Sequence, residues 1–130
     1  MSLSRVLIAN RGEIAIRIAS AAAELQITSV AVFAQDDSAA LHVRKADEAV
    51  PLKGMGVAAY LDIKQIIALA QQYNCDAIHP GYGFLSESSV FAKECEAAGI
   101  IFIGPSVDTL SVLGDKARAR SLALKFEVPL

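Results

Sequence analysis

The sequence predicts an α/β fold: an open parallel sheet of about five strands with helices on both faces. Three observations predict it. Five short runs, residues 5–9 (RVLIA), 28–33, 49–50, 76–78 and 100–103, are mostly apolar without strict alternation, as suits parallel strands covered on both faces. Segments of helical periodicity lie between most of them. Glycine, proline or polar residues mark the junctions. The 130 residues are 54% hydrophobic and 20% charged, enough for one domain with a core and too apolar for disorder. A net charge of -2 and the absence of tryptophan give no electrostatic case for nucleic acid or an anionic membrane surface, and no platform for stacking bases.

Residues 5–9 form the first strand. Asn10, Arg11 and Gly12 interrupt it. Ile14, Ile18, Ala21, Ala22 and Leu25 then recur at helical spacing, with Glu13 in the first turn, where the helix dipole favours a carboxylate. β-Branched residues make 28–33 the second strand. Gln35, Asp36, Asp37 and Ser38 form a polar loop. The two aspartates read first as N-caps of a short helical turn through Leu41, and second as ribose holders of a dinucleotide-binding protein. Ala49 and Val50 make a short strand ended by Pro51, and Gly54, Met55 and Gly56 a flexible loop. Asp62 and Gln65 form a capping box ahead of Ile63, Ile66, Ile67 and Ala70. Beyond the strand at 76–78, Phe91, Cys95 and Ala98 share a helix face, with Ser86 or Ser88 as cap and Gly99 as stop. Residues 100–103 form the last strand, closed by Gly104 and Pro105. Ser106 or Asp108 caps a short helix through Leu113, and Gly114 and Asp115 open another, with Ala119, Leu122, Ala123 and Phe126 on its apolar side.

Ligands of a parallel sheet sit beyond the carboxyl ends of its strands. Residues 76–87 (DAIHPGYGFLSE) place His79, Tyr82 and Glu87 just past such an end and are the leading candidate site. Gly81 and Gly83 bracket Tyr82, permit dihedrals other residues resist, and let a ligand approach the chain. His79 reads as a structural hydrogen-bond donor rather than a catalyst, and Glu87 as a partner for a basic group elsewhere. Asn10-Arg11-Gly12-Glu13 stands where a phosphate-binding turn would stand. Its single glycine falls short of G-x-G-x-x-G. On the structural reading, Gly12 makes room for the helix, and Arg11 faces solvent or pairs with Glu13 or Asp36. Lys116, at the start of the last helix, opposes the dipole preference. An adjacent phosphate explains it, as does simple exposure beside Asp115.

No catalytic constellation is complete: there is no P-loop, nucleophile elbow or HExxH, and no carboxylate cluster built for magnesium. Cys75 and Cys95 read as reduced, buried thiols, and with two scattered histidines they make no zinc pattern. No secretory signal pattern is present, and the apolar runs are far shorter than the ~20 residues of a membrane span. A cytoplasmic protein is expected.

Taken together, the motifs closely resemble the N-terminal domain of biotin carboxylase, the ATP-grasp component of acetyl-CoA, propionyl-CoA, pyruvate, 2-oxoglutarate and urea carboxylases. The resemblance covers essentially the whole chain. It rests on VLIANRGEIAIRI (6–18), HVRKADEAV (42–50), YLDI (60–63), DAIHPGYGFLSE (76–87), FIGP (102–105) and GDKARA (114–119). It implies a Rossmann-like, pre-ATP-grasp sheet spanning residues 1–130 of a longer enzyme, whose lid and C-terminal domains follow. The apolar ending Val128-Pro129-Leu130 fits such a fragment.

The implied reaction uses ATP and bicarbonate to carboxylate N1 of carrier-bound biotin through carboxyphosphate, with Mg ions bridging the nucleotide phosphates. By resemblance, Lys116 contacts an ATP phosphate, Tyr82 and Gly83 form part of the wall beside the biotin ring, and His79 and Glu87 shape that loop. Arg17 lies on the helix that joins subunits in dimeric relatives. The implied cofactors are ATP, Mg and biotin. The implied partners are bicarbonate, a biotin carboxyl carrier, a carboxyltransferase component and a second copy of the chain. The fragment alone is expected to be inactive. Ser20 stands near a position where relatives commonly carry Arg, which weakens the expectation of a dimer contact, and Ser88-Ser89 replaces a usual Asn-Ala. The alternatives are a dinucleotide-binding domain of an oxidoreductase, a non-catalytic oligomerisation domain, and a carbamoyl-phosphate synthase-like domain. The first lacks its second and third glycines, and residues 79–87 point away from the last.

Overall fold

The computed structural model describes residues 3–104. Strands β1 (Arg5–Ile8), β2 (Thr28–Phe33), β3 (Glu48–Pro51), β4 (Ala77–His79) and β5 (Ile101–Phe102) form one sheet in the order β3-β2-β1-β4-β5. Every pairing is parallel. Helices α1 (Gly12–Glu24), α2 (Leu41–Lys45), α3 (Gly56–Ala59), α4 (Ile63–Gln72) and α5 (Ser89–Ala97) connect the strands, with a 3-10 turn at Gln35–Asp37.

Two apolar layers sandwich the sheet. Val6, Ile8 and Ala77 pack with Ala15, Ile18, Ala19 and Ala22 of α1. Leu7, Val30, Val32 and Ile78 pack with Ile66, Ile67 and Ala70 of α4 and with Phe91 and Cys95 of α5. Successive β1 residues enter opposite layers because strand side chains alternate. Both faces are covered, so the strand is apolar throughout and shows no sequence alternation.

Helices α1, α4 and α5 end in the same way. The residue after each C-cap is left-handed: Gln26 (φ 60), Asn74 (φ 57) and Gly99 (φ 73). The next amide bonds back to the last turn, Ile27 to Ala22 O, Cys75 to Ala70 O and Ile100 to Cys95 O, each at 2.8 Å. The left-handed residue's own amide bonds back as well, Gln26 to Ala23 O, Asn74 to Gln71 O and Gly99 to Glu96 O, and this double closure satisfies carbonyls the helix end would otherwise leave open. It also turns a buried residue straight toward the following strand. Only Gly99 announced this in the sequence, because Gln and Asn adopt the conformation less readily.

Several local expectations change. Asp36 and Asp37 do not cap their own turn, and neither the 3-10 turn nor α2 has a side-chain cap. Asp36 accepts instead from the Gly56 amide at 2.8 Å, so the expected loop at 54–56 gives way to helix at Gly56. Asp62 caps α4 through the Gln65 amide, but the Gln65 side chain turns to Asp62 Oδ2 and to the Lys53 backbone rather than closing a capping box. Ser88, not Ser86, caps α5. Cys75 and Cys95 are free and buried, and burial pushes both thiols up to about 11. The expected helices after Pro105, with Lys116, lie outside the described residues. No helix among the described residues is long and apolar enough to cross a membrane.

Candidate functional site

The chain leaves β1 toward β2 on one side, while β4 lies on the other. Beyond the carboxyl ends of β1 and β4 the strand order therefore reverses, which opens a crevice in sheets of this kind. Register places Ile8 beside His79, and the Ala9 amide continues the ladder to His79 O at 3.0 Å. Asn10 and the loop from Pro80 to Phe84 meet at this point.

Asn10 is 2% exposed and spends its whole side-chain amide on backbone. Nδ2 donates to Pro80 O at 2.7 Å and to Tyr82 O at 2.8 Å, while Oδ1 accepts from the Arg11 amide at 2.8 Å. Gly81 lies beneath this clamp at φ +68, and a Cβ there would stand 2.5 Å from Asn10 Nδ2 and 2.8 Å from Ile14 Cγ2. Glycine is required both for the left-handed backbone and for the close approach. Gly12, by contrast, has open space where a Cβ would be and a φ of +66, so it serves the turn's dihedral and not helix packing.

His79 is fully buried, and its Nδ1 accepts the Gly81 amide at 3.0 Å. An amide can only donate, so Nδ1 is the unprotonated nitrogen of a neutral ring. The sequence reading had His79 as a donor; in this bond it accepts. Above these buried groups Tyr82 is half exposed and Gly83 and Glu87 are exposed. Tyr82 and Gly83 thus present a ring and a bare backbone outside, with His79 and Asn10 holding the chain from inside, and Glu87 follows four residues further on, exposed.

A second polar cluster stands beyond β1 and β2. Arg11 pairs with Asp37 at 2.7 Å, not with Glu13 or Asp36. The Tyr60 hydroxyl donates to the other Asp37 oxygen at 2.7 Å and accepts from the Ala34 amide at 3.1 Å. Burial, and then the Asp37 carboxylate, push the Tyr60 hydroxyl far above its usual range, so it remains a donor. The Tyr60 ring meets Phe84 edge-on with centroids 5.6 Å apart, which joins this cluster to the Tyr82 loop. Nearby, His42 Nε2 lies 3.3 Å from Val32 O, and burial lowers its pKa.

The sequence places Asn10 in a candidate phosphate-binding turn but does not show that it clamps the Tyr82 loop, and it gives Tyr60 no site role of its own. The available signal for Asn10 was a polar, uncharged residue directly ending an apolar strand. Among the described residues no group of three His, Cys, Asp or Glu side chains could hold a metal ion.

Comparison with known proteins agrees with this architecture. The family described as biotin carboxylase, N-terminal domain, matches residues 2–110. Pyruvate carboxylase of Staphylococcus aureus is 51% identical over 130 residues, covering 98% of this chain and 11% of that protein. The solved biotin carboxylase domain of a single-chain bacterial carboxylase is 55% identical with a TM-score of 0.77, covering 98% of this chain and 30% of the other. The biotin carboxylase domain dimer of the Hydrogenobacter thermophilus 2-oxoglutarate carboxylase, solved with MgADP, ADP and bicarbonate, is 43% identical with a TM-score of 0.78, covering 99% and 28%. The chain thus spans about a tenth of such a curated relative and under a third of these solved domains. With its five-stranded parallel sheet and the match over residues 2–110, the chain belongs to the biotin carboxylase N-terminal domain family.

Proposed function

We propose that this chain is the N-terminal domain of an ATP-dependent biotin carboxylase, which uses bicarbonate and ATP to carboxylate N1 of carrier-bound biotin. The observation that supports this most directly is the loop at the β1–β4 crevice in a chain whose family match covers it. Its backbone is fixed from below by Asn10 and His79, while Tyr82 and Gly83 face outward. A planar ring with an exposed glycine beside it suits a compact bicyclic urea such as biotin. In this reading Tyr82 and Gly83 form one wall of the biotin pocket, Glu87 helps shape the loop, and His79 fixes the peptide at Gly81. Lys116, in GDKARA, supplies a point charge to an ATP phosphate.

In this reading Mg would be held by carboxylates of the longer enzyme. The lid and C-terminal domains of the longer enzyme would close the nucleotide site, and this chain alone would not turn over. The carrier, a carboxyltransferase component and a second copy of the chain are its expected partners, and the cytoplasm its setting.

The test is bicarbonate-dependent ATP cleavage by the full-length protein, with and without free biotin. Stimulation by biotin is expected, and its absence would sink the proposal. Lys116→Ala in that protein should raise the KM for ATP by the equivalent of about 1.5–3 kcal/mol, the value of one charge-assisted hydrogen bond. An unchanged ATP KM removes Lys116 from the site.

A further inference from the structure

We infer that Asn10 is the positioning residue for the Tyr82–Gly83 wall, and that it acts on affinity for biotin rather than on use of ATP. This rests on the proposed function above. The inference comes from where the amide donors go. Asn10 sits on the β1 side of the crevice, yet both its Nδ2 hydrogens bond to the β4 side, to the carbonyls on either side of Gly81. Two bonds from one planar amide fix the distance and the twist of the segment between them. Tyr82, at the outer end of that segment, is 49% exposed, and the residues on either side of it are also held, Gly81 by His79 Nδ1 and Gly83 by the Ser86 amide.

The β1 side reaches the loop at two points. Asn10 Oδ1 is taken by the Arg11 amide, and Arg11 is held by Asp37, which Tyr60 also holds. The Tyr60 ring then packs against Phe84, on the far side of Tyr82. The loop is therefore gripped before and after Tyr82 by groups that trace back to the same turn at residues 10–11. Gly81 lets the amide approach that closely, because any Cβ would displace it. Loss of the clamp would leave Tyr82 and Gly83 sampling several positions. A ligand that needs one of them would then bind more weakly in proportion to its population.

The test compares KM values in the full-length enzyme. Asn10→Ala should raise the KM for free biotin by about tenfold, equivalent to about 1.4 kcal/mol of lost pre-organisation, with the KM for ATP changed by less than about twofold. Tyr82→Ala should also raise the biotin KM. In the Tyr82→Ala background, Asn10→Ala should raise the biotin KM by less than it does in the wild type, because part of its effect passes through the Tyr82 ring. Equal shifts in the biotin and ATP KM, a fall in kcat alone, or independent multiplication of the two substitutions would each overturn the inference. Asn10→Ser retains one donor and should give a smaller biotin-specific shift, which keeps the test available if the alanine variant does not fold. If neither variant yields folded protein, Asn10 is a core residue and the inference fails. Wild-type enzyme that biotin does not stimulate would defeat the proposed function itself, whereas a stimulated wild type with no KM split in the variants defeats only this step.

Discussion

Charged side chains join β1 and β4 at their amino ends, and neutral buried groups join them at their carboxyl ends. At the amino ends, the Asp76 carboxylate accepts from the Ser4 amide at 2.9 Å, the Ser4 hydroxyl at 2.8 Å and the Arg5 amide at 3.2 Å. Arg5 forks onto Glu48 at 2.8 and 3.0 Å and reaches Tyr73 O at 2.9 Å. Much of this is open to water. At the carboxyl ends, Asn10 and His79 are almost wholly enclosed. Water can replace a partner lost at the open end, but not one lost at the closed end, where an orphaned group keeps its full desolvation cost. The closed end is therefore the stiff one, and it is the end that presents an exposed loop.

Substitutions can break or sharpen that contrast. The largest effect belongs to Gly81→Ala. A left-handed alanine and a Cβ pressed into Asn10 and Ile14 should together cost about 2–5 kcal/mol in denaturant unfolding. A cost below that of an ordinary surface substitution would mean the clamp is loose. Next comes Tyr60→Phe, which keeps the ring against Phe84 and strips partners from Asp37 and the Ala34 amide. It should lower stability by about 1–3 kcal/mol, read in the same unfolding experiment.

A smaller effect is expected from acid. His42 has its pKa lowered by burial, so the unfolded chain binds a proton more readily than the folded one. Its contribution is complete above the ordinary value of 6.5 and shrinks as pH falls from there toward the lower folded value. His42→Leu should flatten that part of the stability–pH profile, and an unchanged slope would assign it to another group. The smallest effect is Glu48→Gln at the open end. The Arg5 hydrogen bond lowers the Glu48 pKa, so its contribution is present above the usual 4.5 and is lost as pH falls through the folded value. The shift in unfolding midpoint should be the least of the four, and should fade in salt because exposed pairs are screened.

The sheet was legible because its signals are local. β1, β2 and the apolar faces of α1 and α4 follow from runs and periods within a few residues. The candidate loop was legible too, since Gly81, Tyr82 and Gly83 are unusual neighbours. What holds that loop was not. Asn10 reads as a turn residue until residues 70 and 72 positions away are placed beside it. For Arg11 the sequence offers Glu13 and Asp36 as partners, and only the fold in space brings up Asp37 instead. The Asp36–Gly56 contact, 20 positions apart, was hidden for the same reason and misdirected the capping assignment.

The central position of β1 has a consequence for how the molecule is made. Its register with β4 joins Val6 to Ala77 and Ile8 to His79, so β1 lacks one of its two neighbours until the chain has been made as far as β4. Closing so long a loop is entropically costly and slow. The crevice is therefore a late product of folding, and a nascent chain halted before His79 would carry β1 and β2 but no ligand-facing rim.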